Sequence, residues 1–186
     1  MPTTYILIAV VVIVGLFLMS TYNRLVRLVN RAKAAWQDIE VQLKRRYDLI
    51  PNLVETVKGY TKHEEGTLTK VIEARNMAMA APHDAMHMGA AEAGLAGALK
   101  SVFALSEAYP DLKANQSFLN LQMELSDTEN KIQAARRFYN TNVLDLTNAI
   151  QAFPSNIIAG MFGFKALEYF DLGDNDAAQQ NVAVKF

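Results

Sequence analysis

An uninterrupted apolar run from Ile6 to Met19, lengthened by Tyr5 and by the uncharged Ser20, Thr21 and Tyr22, constrains this chain more than any other feature. With those flanks it reaches the roughly 20 residues a helix needs to cross the hydrocarbon core of a bilayer. A buried helix of the same Val, Ile and Leu composition would need protein on every side, which a chain of 186 residues can hardly supply. The strictly apolar part alone is short enough to be the core of a signal peptide. However, no Lys or Arg precedes it, and Tyr22 and Arg24 are larger than a cleavage site prefers. The expectation is therefore a retained anchor over residues 1–23, in contact with membrane lipid through residues 5–22. Arg24, Arg27, Arg31 and Lys33 follow the span at once and place its C-terminal side in the cytoplasm, with the short N-terminus outside. Tyr5 and Tyr22 bracket the run and suit the two membrane interfaces.

Beyond the anchor, Leu25, Leu28, Ala32, Ala35, Ile39, Leu43, Ile50, Val54 and Val57 advance mostly by three or four, marking one face of a long helix. No Gly or Pro separates this stripe from the span, so one helix is predicted from the membrane to about Tyr60. Pro51 inside it removes one backbone hydrogen bond and introduces a kink. Lys62 to Gly66 is a polar break. A second helix over Thr67–Ala81 follows, with Leu68, Val71 or Ile72, Arg75 and Met79 along its inner face. A turn at Pro82, an alanine-rich helix over Met88–Ala108 and punctuation at Tyr109-Pro110-Asp111 come next. The last long helix starts near Asn115 and carries Phe118, Leu121, Leu125, Ile132, Ala135, Tyr139, Val143, Leu146, Ile150 and Phe153 on one stripe, stopping at Pro154. The fold class expected is all-α: a transmembrane helix continuous with an antiparallel, four-helix-type bundle over residues 24–172, and an unassigned polar tail over 173–186.

Two blocks make the resemblance to a known family specific. The run Val41-Gln42-Leu43-Lys44-Arg45-Arg46-Tyr47-Asp48-Leu49-Ile50-Pro51-Asn52-Leu53-Val54-Glu55-Thr56-Val57-Lys58-Gly59-Tyr60 resembles the signature of LemA family proteins. The run Ala135-Arg136-Arg137-Phe138-Tyr139-Asn140, continuing through Asn148 and Phe153-Pro154 to Phe170, is similar to the family's C-terminal block, and the stretch Ala114–Asn130 adds to it. The resemblance implies a membrane-anchored helical bundle of the bacterial inner membrane, with no established enzymatic activity. It also implies a link to membrane organisation through a relative in magnetosome-forming bacteria. It supplies no catalytic residues, and the Met- and His-bearing stretch Asn76–Gly89 departs from the family's pattern.

Several side chains could carry chemistry. Lys44, Arg45, Arg46, Asp48 and Glu55 share the helix with Pro51, and Glu129, Arg136 and Arg137 lie on the last long helix. Asp48 or Glu129 buried against Arg136 or Arg137 would fix helix register, since an unpaired buried charge is strongly unfavourable. The functional alternative is a polar pocket at the Pro51 kink, built from Asp48, Asn52, Glu129, Arg136 and Asn140, that takes a small anion, a polar ligand or a partner helix. His83 and His87, with Met77, Met79, Met86 and Met88 nearby, have a composition that reduced copper tolerates. The same string also arises when methionines face a core, and no metal or other cofactor is expected. The block Ile157, Ile158, Met161, Phe162 and Phe164 serves either as a cap on one bundle end or as a patch for self-association or bilayer contact.

A net charge of -1 provides no basic field for nucleic acid. The absence of cysteine removes disulfides, thiol catalysis and cysteine-zinc sites. None of the common hydrolase, nucleotide-binding or zincin motifs is present, so no catalytic residue is assigned. The function expected is a non-enzymatic membrane-anchored scaffold that self-associates into a homo-oligomer and meets other membrane proteins. The alternative is a sensory module that uses the pocket at Pro51.

Overall fold

The computed structural model describes residues 2–61 and 63–170, and every regular element among them is an α-helix. Helix α1 spans Pro2–Lys58, α2 Glu65–Ala80, α3 Ala85–Ser106, α4 Pro110–Lys113, α5 Gln116–Gln151 and α6 Ser155–Phe162. The tail over 173–186 lies outside the described residues.

The helix ends follow from local chemistry. The Asp84 carboxylate accepts the His87 backbone N–H at 2.9 Å and starts α3. Asn115 Oδ1 accepts the Phe118 N–H at 2.9 Å and starts α5. Pro110 opens α4, where its missing N–H costs nothing. Ser155 Oγ closes α5 by donating to the carbonyls of Ala149 (2.7 Å) and Ala152 (2.9 Å). Gly163 ends α6 at φ 71°, a left-handed conformation open to glycine at little cost. The chain then reverses, and the Phe164 N–H bonds the Ala159 carbonyl at 2.9 Å.

The chain divides into two compact units. One comprises Met1–Asp38 and Arg136–Leu167, the other Ile39–Ala135 and Glu168–Phe186. In the first, Leu25 of α1, Ala149 of α5 and Ile158 and Ala159 of α6 form a buried apolar cluster, with Leu28, Ile150 and Phe164 packed around it. The α1 segment before Tyr22 buries nothing against the rest of the chain, and its mean hydropathy reaches 2.5. Such a surface suits an apolar solvent and is consistent with membrane anchoring. Trp36 and Tyr139 meet edge to face in the same unit, with ring centroids 5.3 Å apart.

In the second unit α2 and α3 pack on each other, joined by a short connection. The α1 stripe over Ile39, Leu43, Ile50, Val54 and Val57 is buried as the 3-4 spacing predicts. On α2 the buried positions are Leu68, Val71, Ala74 and Ala78, while Ile72 and Met79 are exposed. The inner face expected through Arg75 and Met79 is therefore displaced by one residue, because alanine is too weakly hydrophobic to mark it. Helix α3 is also long and apolar enough to cross a membrane, but a third of that stretch is buried within the protein and it carries the buried acid Glu92. Both features mark it as a core helix.

Candidate functional site

The second unit contains a buried ionic node, and it is built around Pro51. Because proline has no N–H, the carbonyl four residues earlier, that of Tyr47, loses its helical partner. Arg75 of α2 supplies the replacement: its Nε–H donates to the Tyr47 carbonyl at 2.8 Å. The Tyr47 side chain, only 8% exposed, donates its hydroxyl to Glu92 Oε1 on α3. The other Glu92 oxygen pairs with the Arg46 guanidinium, and Arg46 also donates to Glu129 Oε2 on α5. Arg46 and Glu92 are each 3% exposed, whereas the Glu129 side chain is 38% exposed. Three other helices, α2, α3 and α5, thus converge on two adjacent residues of α1, Arg46 and Tyr47.

The charges balance within this node, Arg46 and Arg75 against Glu92 and Glu129. Burial pushes the Tyr47 phenol above its ordinary value, while Arg46 pulls more weakly in the other direction. The neutral hydroxyl is therefore the form that donates to Glu92 at physiological pH. The functional groups of Tyr47 and Glu92 face one another rather than an opening, and neither is placed as a nucleophile or general base would be. The arrangement can fix register and exclude water. Removing one member strands the charge of another.

The sequence-level candidates fall out differently. Asp48 and Asn52 are exposed, because they lie off the stripe that runs through Leu43, Ile50 and Val54. Burial of Asp48 is thus corrected. Glu129 pairs with Arg46 of α1, an ion pair across helices that the sequence did not single out. Arg136 and Asn140 are half-buried and belong to the first unit. His83 Nδ1 meets Glu40 Oε1 at 3.0 Å, and His87 Nδ1 meets Asp84 at 2.8 Å, so each imidazole faces a carboxylate of its own. The Asp84 carboxyl is held low chiefly by the His87 backbone N–H and then by its side chain. Met77, Met79 and Met86 are exposed and Met88 is buried. No group of three or more His, Asp or Glu side chains placed to hold a metal ion occurs among the described residues.

Near the anchor, Tyr5, Tyr22, Arg24, Arg27 and Arg31 are exposed. A cavity of about 410 Å³ is lined by Arg24, Leu28, Asp145, Asn148, Ala149, Ala152 and Ser155. The apolar C-terminal block splits in two: Ile158 is buried against Leu25 and Ala149, while Ile157, Met161 and Phe162 stay exposed and Phe164 is half-buried. Phe153, expected at the end of the α5 stripe, is 81% exposed. Two residues of the node escaped the sequence reading in their roles. Glu92 is the only charge between Met88 and Leu99, and an isolated charge on an apolar helix is the signal that could have found it. Arg75 is half-buried at the edge of the inner face of α2, and its role depends on the acceptor that Pro51 frees on another helix.

The chain is similar to the Magnetosome protein MamQ of Magnetospirillum gryphiswaldense, 24% identical over 178 residues that cover 82% of this chain and 65% of that protein. It is 29% identical over 140 residues to Protein LemA of Metamycoplasma hominis, covering 74% of this chain and 63% of that one. Magnetosome protein MamQ 2 of Paramagnetospirillum magneticum matches at 24% over 178 residues, with 82% and 65% covered. The chain thus spans somewhat less than two thirds of the length of these relatives. The model of the LemA family matches residues 35–186, a range that takes in the Pro51 turn, all members of the buried node and α6, and the chain belongs to the LemA family.

Proposed function

We propose that this protein is a membrane-anchored helical scaffold that self-associates at the bacterial inner membrane, with its folded part in the cytoplasm and no catalytic step of its own. The observation that carries the reading is that a single helix, α1, holds both a fully exposed apolar span and the two residues, Arg46 and Tyr47, on which three other helices converge. The ionic node balances two arginines against two glutamates, with Arg46 and Glu92 buried, which suits a rigid support better than a reaction centre.

The pairings in the Ile39–Ala135 unit support an up-down, antiparallel arrangement. Arg46 and Tyr47 meet Arg75, Glu92 and Glu129, while Tyr60 accepts from Asn115 and Tyr109 donates to Glu64. Successive helices therefore pass the same two levels in alternating directions. The basic cluster Arg24, Arg27, Arg31 and Lys33 supports the cytoplasmic placement. Lateral association is supported by large apolar side chains left in the open on α5, Phe138 at 52% and Leu144 at 47% exposed.

The test is the mass of the assembly released from its own membrane in lipid discs, with crosslinking in the intact membrane as a check. An oligomer supports the scaffold. A single copy in both measurements overturns it.

A further inference from the structure

The α6 face directed away from the core is strongly apolar and lies beside the base of the anchor. The segment Ala152–Phe164 contains no charged residue. Its inner side chains, Ile158 and Ala159, pack on Leu25 and Ala149. Phe153, Ile157 and Met161 are 81%, 55% and 72% exposed, and Phe162, beside Tyr22, is still 59% exposed. Four large apolar side chains grouped in water are costly and mark a binding surface.

The occupant follows from where the face lies. Phe162 and Phe164 contact Tyr22, with ring centroids 4.8 and 5.6 Å away. Tyr22 stands three residues beyond Met19, the last residue of the apolar run, and Leu25 three further on. At a rise of 1.5 Å per residue, α6 sits about 5–9 Å past the end of that run, which is the depth of a leaflet's headgroup layer. Two exposed cations lie close by in sequence, Arg24 two residues after Tyr22 and Lys165 directly after Phe164, and lipid phosphates would favour both.

We infer that α6 with Phe153 is an interfacial membrane helix, resting on and inserting its outer face into the same leaflet that the anchor enters, so that the protein holds the bilayer at two places. The inference rests on the anchor spanning the membrane. Tyr22 joins the two contacts as a shared aromatic at the interface, a depth that suits such rings. The second contact removes the freedom of this unit to swing about its anchor.

The absence of cysteine allows single-cysteine spin labelling of the full chain in phosphatidylcholine vesicles containing phosphatidylglycerol. The variants are I157C, M161C, I13C and N76C, each checked for native helicity. Accessibility is read with oxygen, which concentrates in lipid, against a water-soluble nickel chelate. For I157C and M161C the oxygen-to-nickel ratio should stand well above that of N76C and below that of I13C. Ratios at the N76C level in vesicles, with I13C deep in lipid, overturn the inference and leave the anchor reading intact. Labels at 157 and 161 that are shielded from both reagents and broadened by a neighbouring label overturn it in favour of a second copy. An I13C label that is also in water overturns the spanning anchor and this inference together.

Discussion

Arg75 on α2 donates to the carbonyl of Tyr47 on α1 at 2.8 Å, and this is the carbonyl that Pro51 deprives of its helical donor. The proline is thus compensated from a neighbouring helix, and it turns a backbone defect into a joint between two elements. Arg75→Met leaves that carbonyl unsatisfied and should destabilise the fold by about 1–3 kcal/mol. Pro51→Ala restores the missing N–H, so the same substitution should cost less in that background. Thermal unfolding of the four proteins of this cycle, followed by circular dichroism in detergent, measures the coupling. Equal losses in both backgrounds would show that Arg75 does not serve the proline.

Arg46 bridges two acids, one of them buried, and this makes its removal asymmetric. Arg46→Met strands Glu92 as an uncompensated charge, and the loss should be roughly 3–5 kcal/mol. Arg46→Met combined with Glu92→Leu removes both buried charges and should recover much of that loss, since Glu129 retains access to solvent. Additive losses in chemical denaturation would contradict the node as a coupled unit.

The Tyr47 phenol provides an alkaline signature. Its pKa is raised in the folded state by burial, so the stability it contributes is fully present below its ordinary value near 10 and lost as pH rises through the folded value. Unfolding midpoints should therefore fall above about pH 10, and Tyr47→Phe should flatten that limb. Tyr109, whose phenol is raised by its hydrogen bond to Glu64 at the protein surface, serves as the control: Tyr109→Phe should leave most of the alkaline loss in place.

The long amphipathic stretches were legible because spacing alone carries them. Every position on the α1 stripe from Leu25 to Val57 is buried or half-buried, and so is nearly all of the α5 stripe. Phe153 fails because it lies past the last turn of α5, where Ser155 folds the chain back. Helix α6 was not legible, since a short segment apolar on all sides has no period to read and Gly160 and Gly163 lower its propensity. The node was half legible. Pro51 and Arg46 stand in a conspicuous charged block, but which arginine meets Glu129 depends on how distant helices align, and Glu92 hides among alanines. Asp48 was misplaced because its neighbours in sequence suggested a cluster, whereas on a helix adjacent residues face different directions.

The membrane topology can be tested on the intact cell. If the basic residues after the span set its direction, the N-terminus faces outward and every residue beyond Arg24 lies in the cytoplasm. With no cysteine in the native chain, Thr3→Cys and Asn76→Cys each report one side without background. A membrane-impermeant maleimide applied to whole spheroplasts should label Thr3→Cys alone, and after lysis Asn76→Cys should label as well. Replacing Arg24, Arg27, Arg31 and Lys33 with glutamine removes the asymmetry, and a fraction of the Asn76→Cys protein should then become reactive from outside. Exclusive outside labelling of Asn76→Cys in the otherwise native chain would invert the topology, and with it the leaflet against which α6 rests.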